Sequence, residues 1–180
     1  MAETFLDIPV PEADPLARAV TALRNPALVL QPGEVLAHAT VLGPFLPGEE
    51  ITPAVVDTLR RTCARMPAFD FELRDVRSFE GGVVYLAPEP ASPFAAMTER
   101  LMAAYPHVLP YGGRFPDVIP HVTVGFADER TGEAWLREQA AGHVPMRCHA
   151  GEVRLVEVGE HTFVTRHRFP LGGARPKSRP

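Results

Sequence analysis

One short pattern occurs twice in this chain. His38-Ala39-Thr40-Val41 returns 83 residues later as His121-Val122-Thr123-Val124, and each copy lies on a strand-like apolar run that follows a helix and a loop. A second pair of segments keeps nearly the same spacing. Pro11-Glu12-Ala13-Asp14-Pro15 is answered about 78 residues on by Pro88-Glu89-Pro90-Ala91-Ser92-Pro93, and each stands between a strand and a helix. Two copies at so long a period argue for a duplicated domain with two lobes and against a stacked solenoid. Each half reads β-α-β-α-β, and the second half ends in one closing strand.

Proline marks where the helices start. Asp14-Pro15, Thr52-Pro53 and Ser92-Pro93 each place a capping residue before a proline that opens an apolar-periodic stretch. The spacing predicts helices over 15–24, 53–65 and 93–105, with a weaker one over 131–141. Strands are predicted over 4–10, 35–42, 69–79, 83–87, 119–127, 153–158 and 161–171, with hairpin turns at Gly81-Gly82 and Gly159-Glu160. The fold class expected is therefore α+β: two mostly antiparallel sheets flanking a central cleft, helices outside. Residues 1–171 form one domain with lobes at about 1–80 and 83–171. Residues 172–180 are expected to be a loose tail whose Arg175, Lys177 and Arg179 are solvated.

Composition narrows what the cleft can take. The 180 residues are 46% apolar and 22% charged, as in ordinary globular proteins. With a net charge of −4 there is no general basic field to hold a long duplex by counterion release, so a nucleic-acid substrate has to be gripped locally. No apolar run reaches the roughly 20 residues needed to span a bilayer, and the start carries no secretion signal. A cytoplasmic protein, a monomer without a membrane partner, is the expectation. The two cysteines, Cys63 and Cys148, are too few and too far apart for a disulfide framework.

On a strand, side chains two apart point the same way about 6.6 Å from each other, so His38 shares a face with Thr40, and His121 with Thr123. If a pseudo-two-fold axis relates the lobes, two imidazoles and two hydroxyls surround one point. That set suits in-line displacement at phosphorus, where one group takes a proton from the entering oxygen and another gives one to the leaving oxygen. The hydroxyls can donate to the non-bridging oxygens as charge grows on them. No metal or other cofactor is demanded. A single His-x-Thr-Val is more often a half-buried polar pair. With 7 histidines in the chain, however, two such copies arise by chance only roughly once in a thousand.

These residues resemble the two-histidine (2H) phosphoesterases, which include 2′-5′ RNA ligase-like proteins and cyclic nucleotide phosphodiesterases and are marked by two His-x-Thr/Ser-x motifs on a duplicated α+β fold. The surroundings agree: Pro44-Phe45 after the first motif, Tyr111-Gly112-Gly113-Arg114-Phe115 before Pro120-His121, and a closing Arg168-Phe169-Pro170-Leu171. The resemblance, from about Thr4 to Leu171, implies a bilobal fold and metal-independent hydrolysis or transesterification of 2′,3′-cyclic phosphates or 2′-5′ linkages, with a nucleotide or short RNA end as substrate. His38 and His121 are then the acid and the base, in either order, with Thr40 and Thr123 beside them. Where RNA ligase-like members commonly carry an arginine soon after the second motif, this chain has Gly125-Phe126. Gly43 stands where an aromatic is frequent.

Phe45, Tyr111 and Phe126 are candidates to stack a base, although Phe45 and Phe126 also fit the core. Arg114 is a candidate phosphate contact on the stretch 106–120, which is long enough to be a lid. His143, Cys148, His149 and Glu152 match no zinc spacing and read as a turn between helix and strand. Two other functions compete: an ATP-independent 2′-5′ RNA ligase, and a non-catalytic binder of RNA ends or phosphorylated metabolites.

Overall fold

A computed structural model describes residues 2–115, 117–128 and 131–173. Among the described residues three helices form where the proline signals place them, α1 (Asp14–Arg24), α2 (Pro53–Ala64) and α3 (Ser92–Ala104), and the weaker one predicted over 131–141 forms as α4 (Glu133–Ala141). Only Thr52 caps as expected, accepting from the Val55 N–H at 3.4 Å. Asp14 and Ser92 lie inside their helices, and neither side chain caps its own. The Asp14 carboxylate instead accepts from the N–H groups of Leu36 and Ala37, at 2.6 and 3.0 Å. The segment leading into the first motif is thus fastened to α1.

Nine strands are present among the described residues, in chain order β1 (Glu3–Pro9), β2 (Val29–Leu30), β3 (His38–Leu42), β4 (Phe69–Ser78), β5 (Val83–Glu89), β6 (Val122–Phe126), β7 (Met146–Ala150), β8 (Glu152–Val158) and β9 (Thr162–Pro170). They lie in the order β2-β9-β8-β1-β3-β6-β5-β4-β7. The two sheets expected of two lobes meet as halves of this one sheet, joined where Ala39 pairs with Val122. Those are the middle residues of the two motifs. The spatial lobes do not coincide with the halves 1–80 and 83–171, because β8 and β9 return to β1 while β4 pairs with β5 and β7. That exchange puts β1 inside the sheet, with Leu6, Asp7 and Ile8 fully buried.

Helices cover the sheet with their apolar stripes: Leu16 and Val20 of α1, Leu59 and Cys63 of α2, Phe94, Met97 and Leu101 of α3, Leu136 and Ala140 of α4 are buried. Alternation along β3 then decides the site, since Ala39 and Val41 go into the core while His38 and Thr40 stay half-buried.

Two expectations are corrected. The stretch read as a turn around His143–Glu152 contains β7, an edge strand whose Met146, Cys148 and Ala150 are buried while Arg147 and His149 face out. Their strict alternation was a readable strand signal. The loose tail does not begin at Gly172, which exchanges backbone hydrogen bonds with Met66 and Ala68 at 2.7 and 3.0 Å. Arg175, Lys177 and Arg179 lie outside the described residues.

Candidate active site

The Ala39–Val122 pairing is antiparallel, so His38 stands opposite Thr123, and Thr40 opposite His121. Each imidazole therefore faces the hydroxyl of the other half. The two rings are held alike. His38 Nδ1 is 2.6 Å from the carbonyl of Leu36, and His121 Nδ1 is 2.8 Å from the carbonyl of Ile119, in each case two residues back. A carbonyl only accepts, so Nδ1 carries the hydrogen in both rings, and in the neutral ring Nε2 keeps its lone pair.

The surroundings of the two rings differ. His121 is caged by aromatics: the rings of Phe79, Tyr85 and Tyr111 lie 5.0, 5.5 and 6.5 Å from it. Burial lowers its pKa from the ordinary 6.5, the hydrogen bond to Ile119 opposes that, and repulsion from His38 adds to the lowering. His38 rests at 5.4 Å from the ring of Phe163. Its Nδ1 is 3.9 Å from the buried Asp7 carboxylate.

Around this centre the cleft has two chambers. One, of about 550 Å³, is lined by Thr40, His121 and Thr123 together with Phe79, Tyr111, Phe115, Ile119 and Phe126, and carries Glu80 and Asp117. The other, of about 300 Å³, is lined by His38 and Thr123 with Thr21, Arg24, Asn25 and Phe126. The four motif side chains thus border these two chambers, which share Thr123 and Phe126 as lining.

The predicted binding residues separate. Phe126 is 52% exposed, so the core reading of it is corrected: it is the rim between the chambers, with the Arg24 guanidinium 5.6 Å above its ring. Tyr111 lines the larger chamber, and its N–H donates to the Gly43 carbonyl at 2.6 Å, which ties the stretch 106–120 to the end of β3. Burial raises the Tyr111 phenol above its ordinary value. Phe45 is not a wall of the cleft: it is buried, edge-on against Tyr105 at 5.0 Å. Arg114 is exposed and borders neither chamber. Gly43 is glycine because a Cβ there would sit 2.2 Å from the Phe5 ring.

Several neighbours of the site had escaped the sequence reading. Arg24 is on α1, and Phe79 and Tyr85 flank the Gly81-Gly82 turn. Asp7 and Arg154 are charges inside apolar strand runs, an anomaly that signals an inward-facing pair. Among the described residues, no group of three or more His, Cys, Asp and Glu side chains is placed to hold a metal ion. None of the helices described is long and apolar enough to cross a membrane.

Comparison with known proteins adds to this geometry. TT0787 of Thermus thermophilus superposes with a TM-score of 0.58 at 20% identity, covering 95% of this chain and 99% of that one. E. coli LigT, solved in complex with 3′-AMP, gives 0.56 at 17% identity, covering 94% and 97%. At such identities the likeness speaks for the fold. No curated protein matches the sequence. The family model described as the 2′-5′ RNA ligase superfamily matches residues 11–162, a span that runs through both His-x-Thr motifs, and the chain belongs to that superfamily.

Proposed function

We propose that this protein is a metal-independent phosphodiesterase that opens 2′,3′-cyclic phosphates or cleaves 2′-5′ phosphodiester bonds of nucleotides and short RNA ends. The observation that carries this is the pair of imidazoles. Each has Nδ1 tied to its own backbone, so each presents Nε2 for proton transfer, and each stands across from a threonine hydroxyl. Burial favours the neutral form of His121, which makes it the base; His38 is the remaining acid. Water attacks phosphorus as His121 Nε2 takes its proton. The bond from phosphorus to the leaving 2′ or 3′ oxygen breaks as His38 Nε2 protonates that oxygen, and solvent resets both rings. Thr40 and Thr123 donate to the non-bridging oxygens.

The walls favour a small nucleotide. Phe126, Tyr111 and Phe115 offer faces for a base, worth about 1–3 kcal/mol per stacked ring. A polynucleotide needs a line of phosphate contacts. The larger chamber instead carries Glu80 and Asp117, and Arg24 is engaged with Asp128 at 2.9 Å. E. coli LigT has been solved with 3′-AMP and with ATP, which supports a nucleotide as the substrate class here.

The direct test is a panel of 2′,3′-cyclic nucleotides, 2′-5′ dinucleotides and cyclic-phosphate-ended oligonucleotides, assayed with excess chelator. Turnover of a small member is expected. Tight binding of one member with no turnover of any supports the binder instead, and joining of oligonucleotide ends supports the ligase. Thr40→Ala and Thr123→Ala should each lower kcat by about 10- to 10³-fold, as expected for loss of one hydrogen bond that strengthens in the transition state. The base must be unprotonated, so the acid limb of the kcat/KM profile should fall below the ordinary 6.5 of His121. Phe79→Ala, by wetting the ring, should move that limb up toward 6.5.

A further inference from the structure

Three ionisable side chains lie in the core behind His38. Arg154 and Asp7 are 0% exposed and Glu34 is 7% exposed. In the strand ladder Arg154 on β8 faces Asp7 on β1, and Asp7 faces Thr40 on β3, so the buried pair continues the row that ends in the first motif. Arg154 uses four of the five N–H donors of its planar fork. Nε and Nη2 donate to the two Asp7 oxygens at 2.8 and 2.9 Å, and Nη1 donates to Glu34 at 3.1 Å and to the Val35 carbonyl at 2.8 Å. The contact with Val35 is the informative one, because joining β8 to β1 does not require it. Burying such a network costs desolvation that well-packed apolar residues would avoid.

A comparison of the two halves shows what that contact holds. Leu36-Ala37-His38 corresponds to Ile119-Pro120-His121, and in both the first residue supplies the carbonyl that takes the imidazole hydrogen. In the second half Pro120 restricts Ile119 from within the chain. The first half has Ala37 there, with no such restriction, and its segment is anchored from outside. Arg154 grips Glu34 and Val35, while Asp14 receives the N–H groups of Leu36 and Ala37. Phe163 ties the network to the ring itself, lying 5.5 Å from the Arg154 guanidinium and 5.4 Å from His38.

We propose that Arg154 is a positioning residue for His38, which through Asp7, Glu34 and the Val35 carbonyl holds the Leu36 carbonyl where it keeps a hydrogen on His38 Nδ1 and leaves Nε2 to give and regain the transferred proton at the cleft. The proposal rests on His38 acting in proton transfer. Two variants test it. Asp7→Leu/Glu34→Gln/Arg154→Met removes all three charges together, so no ion is left alone in the core. Arg154→Lys keeps one positive charge but loses the fork that reaches Val35.

The first readout is the ¹⁵N NMR tautomer of the His38 ring at a pH where it is neutral, in protein without ligand. Both variants are expected to show a mixture of Nδ1–H and Nε2–H forms at His38, with His121 unchanged. On a 2′,3′-cyclic nucleotide that the wild type turns over, kcat should fall about 10- to 100-fold with KM within about twofold. The proposal is overturned if folded Arg154→Lys or the triple variant keeps His38 in the Nδ1–H form. Should the triple variant fail to fold, Arg154→Lys alone decides. Absence of any turnover by the wild type would sink the phosphodiesterase reading and leave the tautomer result to judge the positioning role.

Discussion

His38→Ala and His121→Ala should each lower kcat by about 10²- to 10⁴-fold on whichever cyclic nucleotide the wild type accepts, with little change in ligand affinity. Loss of either imidazole leaves one side of the in-line displacement without its proton transfer, while the phosphate still meets the hydroxyls of Thr40 and Thr123. The double variant should lose far less than the product of the two single losses, since the pair works as a unit. The rings stand on the two rungs that flank the Ala39–Val122 pair, with matched backbone anchors, so either substitution leaves the other ring's anchor in place. Steady-state kinetics of the three variants on one substrate decides this. Full turnover by His38→Ala would refute the mechanism.

Arg154→Met alone should destabilise the fold by about 3–5 kcal/mol, because it leaves Asp7 and Glu34 in the core without their common counter-charge. For a chain of this length each kcal/mol moves Tm by roughly 2–4 °C, so thermal unfolding should shift down by roughly 10 °C. The triple variant that removes the carboxylates as well should recover most of the loss. Both are read by calorimetry. If Arg154→Met unfolds at the wild-type temperature, water reaches the carboxylates and the network is not the dry cluster its 0% exposure describes.

Much of the site was legible because its signals are short. A histidine and a threonine two apart share a strand face whatever surrounds them, and two copies imply two faces. Proline after Asp14, Thr52 and Ser92 restricts the backbone locally, so the helices lie within one or two residues of their predicted bounds. The aromatics were less readable. Phe45 and Phe126 both sit beside a motif on apolar runs, yet one is 8% exposed and the other 52%. The difference comes from neighbours far along the chain: Tyr105 closes over Phe45, whereas Phe126 ends β6 at the mouth of the cleft with the Arg24 guanidinium above it.

By itself the sequence determined what periodicity and restricted backbone determine: four helices, most of the strands, the duplication, and the two His-x-Thr faces of the candidate site. Tertiary structure decided which strands met. The return of β8 and β9 to β1, the join at Ala39 and Val122, the addition of β7 at the edge, and the meeting of Asp7 with Arg154 across 147 positions are long-range closures. Each depends on how much apolar surface the whole sheet buries, against the entropy of closing a long loop. No window of a dozen residues contains that balance, and so the anchor behind His38 became visible only in the folded chain.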